Sequence, residues 1–433
     1  MTSTATRSLA AQPTAAQNAL SIVSALLVVG AIPLIRPFIL GERLTIVGTA
    51  MVGGALLFAV LADMRATTPN DRALRTLALL AGLLWLWSML QLTVRPQHDA
   101  QQTFTIGVLT FGVLLATVYV LRNALRRVVI VHGLIVICFV LSLSFILTFL
   151  IWNIFGFGTG FVANIDAGYE GKTVPLYLPV TFTYSSFTFG GISVPRFLGI
   201  GRESGVMAAL LGWAYFMLPR TRWNSWPFKL VLFVGLVGTQ STAGFAAFIV
   251  VWVLQNLLWH EGLPSGKAIL KQFAGVFGLM FAAYIAFFAP VVGLLAKTEL
   301  NPVSVTDRQT ALENGIAAIL NNPLAANATG YDAPMSSINL VAAIAVIGLP
   351  GFVLSVLAFV LPWAQSSQRW LALGPTLVLF VTLLLSQPLS QSPGFWIMLA
   401  LGVAAYPMWR PSKHGVESGG QRGSTKLVSA SAM

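Results

Sequence analysis

Long apolar runs alternate with short polar connections along most of this chain. After a polar stretch rich in Ala, Thr and Gln that ends near Gln17, an apolar run from Leu20 to Ile35 closes on Arg36-Pro37. No small-residue cleavage pattern follows it, so the run reads as an uncleaved anchor and not as a removable signal peptide. Further runs of spanning length occur at about 44–62, 76–94, 102–121, 128–154, 204–218, 272–295, 338–362, 370–386 and 394–408. The stretch from Leu230 to Trp259 is too long for one untilted span and is interrupted by Gly238-Thr-Gln-Ser-Thr-Ala-Gly244. It predicts two short helices joined by a tight turn, which brings the total to about twelve spans. The pattern thus predicts an all-α, polytopic membrane protein: an N-terminal tail (1–17), one transmembrane domain (18–410) and a Gly/Ser-rich, disordered C-terminal tail (411–433).

Composition agrees, since 56% of the 433 residues are hydrophobic and 9% charged, with mean hydropathy +0.81, whereas a soluble domain carries about 25% charge. The net charge of +12 would suggest nucleic acid in a soluble protein, but here it follows the membrane. With the N-terminus inside, seventeen of the twenty-five basic residues and four of the thirteen acidic ones fall in inside segments, a net of +13 inside against −1 outside. That bias sets the orientation, with both termini cytoplasmic, and no nucleic-acid partner is needed. Keeping the 230–259 run whole would invert everything downstream of it. The single Cys138 and four scattered His residues exclude a disulfide framework and a paired-cysteine zinc site, so no metal and no cofactor is expected. The spans hold almost no ionisable group; His132 is the main candidate, and it reads as a histidine that snorkels or bonds to backbone.

Polar chemistry collects in two long outside, periplasmic loops, about 155–203 and 297–337, and long loops are commonly functional. The first opens with Phe155-Gly-Phe-Gly-Thr-Gly160 and passes through Asp166, Glu170 and Lys172 into an alternating stretch, 174–184, that predicts a short extended segment. Tyr177, Phe182, Tyr184, Phe187 and Phe189 suit either stacking on sugar rings or an interfacial aromatic belt. After Gly190-Gly191 come Arg196 and Arg202, with glycines between them, then Glu203 and the sixth span. Two guanidiniums ahead of a helix N-terminus suit an anion, because the planar fork donates bidentately to phosphate and stays charged. The alternative is that they pair with Glu203, Asp166 or Glu170 and fasten the loop. In the second loop, Ser304 and Asp307 have capping spacing, Leu312, Ile316, Ile319 and Leu320 share one face, and Asn321-Asn322-Pro323 ends the helix. This predicts an amphipathic surface helix with Arg308 in its first turn, where a cation opposes the helix dipole and an anionic ligand would offset it.

Three patches resemble the bacterial O-antigen ligase and polysaccharide polymerase superfamily: Arg196-Phe-Leu-Gly-Ile-Gly-Arg-Glu203, Thr239-Gln-Ser-Thr-Ala-Gly244, and Asp307-Arg308 through Asn322-Pro323-Leu324, Gly330-Tyr331 and Asn339 to Gly348-Leu-Pro-Gly351. The resemblance covers about residues 190–352 and implies a glycosyltransferase of the C type in the bacterial inner membrane. It implies an inverting, metal-independent transfer of a glycan from undecaprenyl pyrophosphate to an acceptor at the periplasmic face. Carried over by position, Arg196 and Arg308 are the loop arginines that hold the donor pyrophosphate, and Tyr331 and Asn339 fall in the matching patch as substrate-binding candidates beside Tyr184. Arg202 is added on chemical grounds. Glu203 is the candidate catalytic base, as a carboxylate near the interface whose proton affinity burial would raise; it also suits the first turn of the sixth span or an ion pair with Arg196.

Ligases of lipid A core usually carry a His before the Asn that follows the Gly-Tyr pair, and here Ser336-Ser337-Ile338 stands there; the Ser-Arg pair common at the middle hairpin is replaced by Ser241-Thr242. These departures favour an O-antigen or exopolysaccharide polymerase, with a ligase acting on lipid A core as the alternative. Two readings from other classes are a flippase or transporter gated by the long loops, and a non-catalytic partner within a glycan-assembly complex. Membrane lipid, the lipid-linked glycan and an acceptor glycan or lipid A core are the partners these readings imply.

Overall fold

A computed structural model describes residues 14–63, 71–94, 100–166, 173–189, 192–258, 265–288, 302–321, 323–324, 340–385 and 392–406. Among them the chain is mostly helical: α1 (Ala15–Ala31), α2 (Gly41–Asp63), α3 (Arg72–Val94), α4 (Ala100–Val120), α5 (Ala124–Phe155), α6 (Ser204–Met217), α7 (Trp226–Gly238), α8 (Thr242–Leu258), α9 (Ser265–Phe288), α10 (Pro302–Asn321), α11 (Ile344–Gln365), α12 (Arg369–Leu385) and α13 (Pro393–Val403). Among the described residues, five helices are long and apolar enough to cross a membrane. Large apolar side chains such as Ile46, Leu57, Leu79, Leu86 and Val140 face outward, as they do where hydrocarbon is the solvent. The chain is a helical membrane protein. The tail predicted to Gln17 is shorter than that, because Thr14 and Gln17 form a reciprocal capping box that starts α1 at Ala15. Residues 1–13 and 407–433 lie outside the described residues.

One end of the bundle is a layer of buried charge. Arg126 is fully buried, ion-paired to Asp63 at the end of α2, and within reach of Ser21 Oγ and the Ala59 carbonyl, each 3.4 Å away. Arg127 donates to the Leu121 and Ala405 carbonyls and lies 3.4 Å from Asp71, whose carboxylate accepts the Leu74 N–H at the start of α3. Arg220, just past α6, donates to the Gly402 carbonyl at 2.9 Å and lies 4.9 Å over the Tyr406 ring. Burial pushes its guanidinium down to about 10, so it remains charged at neutral pH. These arginines tie the ends of α2, α4, α6 and α13 together. Counted in the sequence only as loop charges that orient the chain, they are core residues.

α13 runs between the two ends and is buried along its whole length. Its first turn receives Arg36 from the opposite end, through Gly394 N–H to the Arg36 carbonyl at 2.9 Å, and Trp213 of α6 donates to its Met398 carbonyl at 3.0 Å. At about 16 Å, eleven residues at 1.5 Å each, it is shorter than the predicted run 394–408 and is packed by protein on every side.

The 230–259 run divides as the sequence predicts. α7 runs beside α5 in the same direction, Phe139 against Phe228, Ser142 against Gly235 and Phe145 against Gly238. α8 then follows α6 in its direction, Ala208 against Gly244 and Gly212 against Phe248. Because α5 and α6 point opposite ways, the chain reverses at Thr239-Gln240-Ser241. Gln240 adopts φ 51° there and Ser241 Oγ accepts the Gly244 N–H at 3.2 Å. His132 Nδ1 donates to the Val128 carbonyl of its own helix at 2.7 Å, with its ring edge-on to Trp223.

The expectation of an all-helical chain fails in the first long loop. Four strands, β1 (Phe161–Asp166), β2 (Thr173–Tyr177), β3 (Thr181–Phe189) and β4 (Ile192–Phe197), form an antiparallel sheet in sequential order. It stands against the last turns of α5. Asn153 exchanges hydrogen bonds of 3.1 Å with the Ser193 backbone, and Phe145 stacks on Phe197 at 4.9 Å, so β4 descends α5 from the level of residue 153 to that of residue 145.

Candidate functional site

The β4 strand and the turn after it carry three of the residues singled out in the sequence. β3 and β4 pair Thr183 with Phe197 and Ser186 with Pro195, so one extra residue is accommodated in β3, and Tyr184 and Ser185 together oppose Arg196. A bulge of this kind bends the strand and re-aims the side chains beside it. It brings Arg196 and Tyr184 opposite each other in the backbone; the Tyr184 side chain is outside the described residues. Phe197 packs into the bundle, and the half-buried Arg196 next to it lies on the other face of the strand.

Beyond Phe197 the chain turns through Leu198 to Glu203 and is fixed from a direction the sequence did not disclose. Ile39 N–H donates to the Ile200 carbonyl at 2.8 Å, Arg202 N–H donates to the Pro37 carbonyl at 3.1 Å, and Phe38 pairs with Gly201 as an isolated bridge. The α1–α2 connection thus lies under the turn as a short extra strand. On its other side the turn closes on the start of α6, which Gly201 permits, since a Cβ there would stand 2.7 Å from the Met207 nitrogen and 2.8 Å from the Glu203 carbonyl oxygen. Gly201→Ala is expected to destabilise the protein by about 1–3 kcal/mol through overpacking, read as a lower unfolding temperature in detergent.

Glu203 is the N-cap residue of α6 by backbone conformation, but its carboxylate does not cap the helix. It lies 3.7 Å from the Arg202 guanidinium, with Arg202 18% and Glu203 45% exposed. Of the loop-fastening pairs considered, Arg202 with Glu203 is present, while Asp166 is paired with Arg43 in the first turn of α2. Arg43 was not singled out. Tyr177, offered for sugar stacking, is buried against Trp152 with ring centroids 4.8 Å apart and is a packing residue.

α10 lies at the same end of the bundle as the sheet. Its C-terminal continuation reaches α3 and α11, where the Gln91 side chain donates to the Leu324 carbonyl at 3.2 Å and the Leu349 N–H to the Pro323 carbonyl at 3.0 Å. Gly315 packs on the backbone of Val341 and Ala342. The helix begins at Pro302, two residues before the predicted cap, because proline lacks an N–H and suits the first helical position. Arg308 is therefore in the second turn, and the dipole conflict inferred for a first-turn cation does not arise. The Arg308 side chain, Tyr331, Asn339 and the Gly190-Gly191 hinge lie outside the described residues. Among the described residues, no three His, Cys, Asp or Glu side chains come together as metal ligands would.

No protein-family model, curated protein or solved structure matches this chain.

Proposed function

We propose that this protein is a metal-independent inverting glycosyltransferase of the bacterial inner membrane that passes a glycan from undecaprenyl pyrophosphate to an acceptor glycan hydroxyl at the periplasmic face, as an O-antigen or exopolysaccharide polymerase. The observation that carries the reading is the gathering of Tyr184 on the bulged β3, Arg196 opposite it on β4, and Arg202 and Glu203 in the turn that follows, at the end of the bundle where α10 also lies. In this reading twelve spans cross the membrane, both termini are cytoplasmic, and the buried charge layer faces the cytoplasm.

Pyrophosphate is a good leaving group, so the protein's task is to neutralise the charge that grows on it as the C1–O bond breaks. Arg196, Arg202 and Arg308 supply that stabilisation in place of a cation. The acceptor oxygen attacks C1 from the opposite face, losing its proton to Glu203 while the electron pair of the broken bond leaves on the diphosphate. Glu203 is exposed enough to meet a hydroxyl. Tyr184, Tyr331 and Asn339 position the sugars.

Purified protein in detergent or liposomes with a lipid-linked oligosaccharide tests the proposal. Polymerisation gives free undecaprenyl pyrophosphate and longer lipid-linked glycan; ligation gives release only when lipid A core is supplied. Donor moved intact across the bilayer, or no change at all, speaks for the transporter or scaffold readings and against catalysis. Sidedness has its own test. Cysteines at positions 185 and 336 are expected to label from outside and one at 225 only after permeabilisation; labelling of 336 from the cytoplasm would overturn the orientation.

A further inference from the structure

The turn joining β2 to β3, Leu178-Pro179-Val180, points down along α5 and not out into solvent. Both of its N–H groups and one of its carbonyls are taken up by protein: Leu178 N–H donates to the Gly160 carbonyl at 2.8 Å, Val180 N–H donates to Ser144 Oγ at 2.9 Å, and Thr148 Oγ1 donates to the Leu178 carbonyl at 2.9 Å. Pro179 has no N–H to satisfy. A turn in water needs no such provision, because water satisfies it. Ser144 and Thr148 are themselves buried in α5 and meet Thr181 Oγ1 at 2.7 and 2.9 Å, so the hydroxyls form a closed network at the foot of the sheet.

The side chains on this rim are apolar and uncovered. Leu178 is 54% and Val180 47% exposed, and Phe157, Phe161 and Val162 beside them are at least half exposed. No charged residue occurs from Ile154 to Ile165 or from Val174 to Pro195. Depth follows from α5. Ser144 lies eighteen residues beyond Arg126, and Thr148 twenty-one beyond Arg127, at the charged end of the same helix. At 1.5 Å per residue that is about 27–32 Å, the thickness of a bilayer's hydrocarbon core. Tilt of the helix shortens the projection and takes the turn deeper.

We infer that the Leu178-Pro179-Val180 turn and the adjoining Phe157–Phe161 rim are sunk into the acyl-chain boundary of the leaflet at the sheet end, so that the sheet is a membrane-embedded wedge and not a soluble loop. Irregular backbone at that depth is permitted only where its polar groups are satisfied inside the protein, and Ser144, Thr148 and Gly160 do this for both N–H groups of the turn and for the Leu178 carbonyl. The partner is the lipid itself. β4 descends α5 to the same level, with Phe197 on Phe145, so Arg196 is held at the depth of this boundary whatever the protein's substrate.

The test uses full-length protein carrying Cys138→Ala and Leu178→Cys, labelled with an environment-sensitive fluorophore and reconstituted in phosphatidylcholine vesicles. Thr173→Cys, at the upper edge of the sheet, is the reference. The Leu178 probe is expected to emit to the blue of the Thr173 probe, to be quenched severalfold more strongly by phosphatidylcholine bearing a nitroxide on its acyl chain, and to resist aqueous iodide. Iodide quenching equal to that at Thr173 would overturn the inference, and so would a probe insensitive to both quenchers, which would mean that protein covers the turn. Val180→Cys repeats the measurement on the turn's other exposed side chain should the Leu178 variant fail to fold.

Discussion

Alanine at Arg196 is expected to lower turnover on a lipid-linked oligosaccharide by at least about a hundredfold, the usual effect of removing one preorganised group that stabilises developing charge. The protein should remain folded in detergent. Arg196 lies on the face of β4 away from Phe197, the residue that anchors the strand to α5, so truncating it leaves the sheet's attachment intact. Arg196→Lys is expected to be intermediate, because the charge is kept and the bidentate fork is lost. The same pair of substitutions at Arg308 should follow the same order. Steady-state release of undecaprenyl pyrophosphate measures both, with thermal unfolding as the control for folding. Wild-type rates in both alanine variants would remove these arginines from the mechanism.

The largest effect on stability is expected at the other end of the molecule. Asp63→Ala leaves Arg126 buried without its carboxylate and should destabilise the fold by about 3–5 kcal/mol. Arg126→Met should cost less: the isolated Asp63 can take up a proton and become neutral, whereas a guanidinium cannot shed its charge. The double variant, Asp63→Ala with Arg126→Met, should recover most of the loss, since packing replaces an ion pair of marginal net value. Unfolding midpoints of the three variants in one detergent decide this. Equal losses in both singles, with no recovery in the double, would show that the site depends on shape and not on charge.

The helices were legible because a bilayer demands about twenty apolar residues per span, and the 230–259 hairpin because a polar Gly238-to-Gly244 break cannot lie unpaired in hydrocarbon. The sheet was legible only as one extended segment. Strand pairing is non-local, so the alternation over 174–184 marked one extended stretch but neither the turn within it nor the strands that pair on either side. The bulge that sets Tyr184 and Ser185 against Arg196 has no sequence signal of its own, and the strand-like pairing of Phe38 with Gly201 joins segments far apart in the chain. Arg126, Arg127 and Arg220 were counted as loop cations because charge near a span end looks the same whether it faces water or is folded under a neighbouring helix. In α10 the proline at position 302 outweighed the capping pattern two residues later.

The central claim is that Arg196, Arg202 and Arg308 converge on one diphosphate. A cryo-electron microscopy structure of the protein with bound undecaprenyl pyrophosphate tests it most directly. The account predicts the guanidiniums of Arg196 and Arg308 within hydrogen-bonding distance of the same diphosphate, with Arg202 beside them; a diphosphate bound elsewhere, or Arg308 directed away from β4, would contradict it.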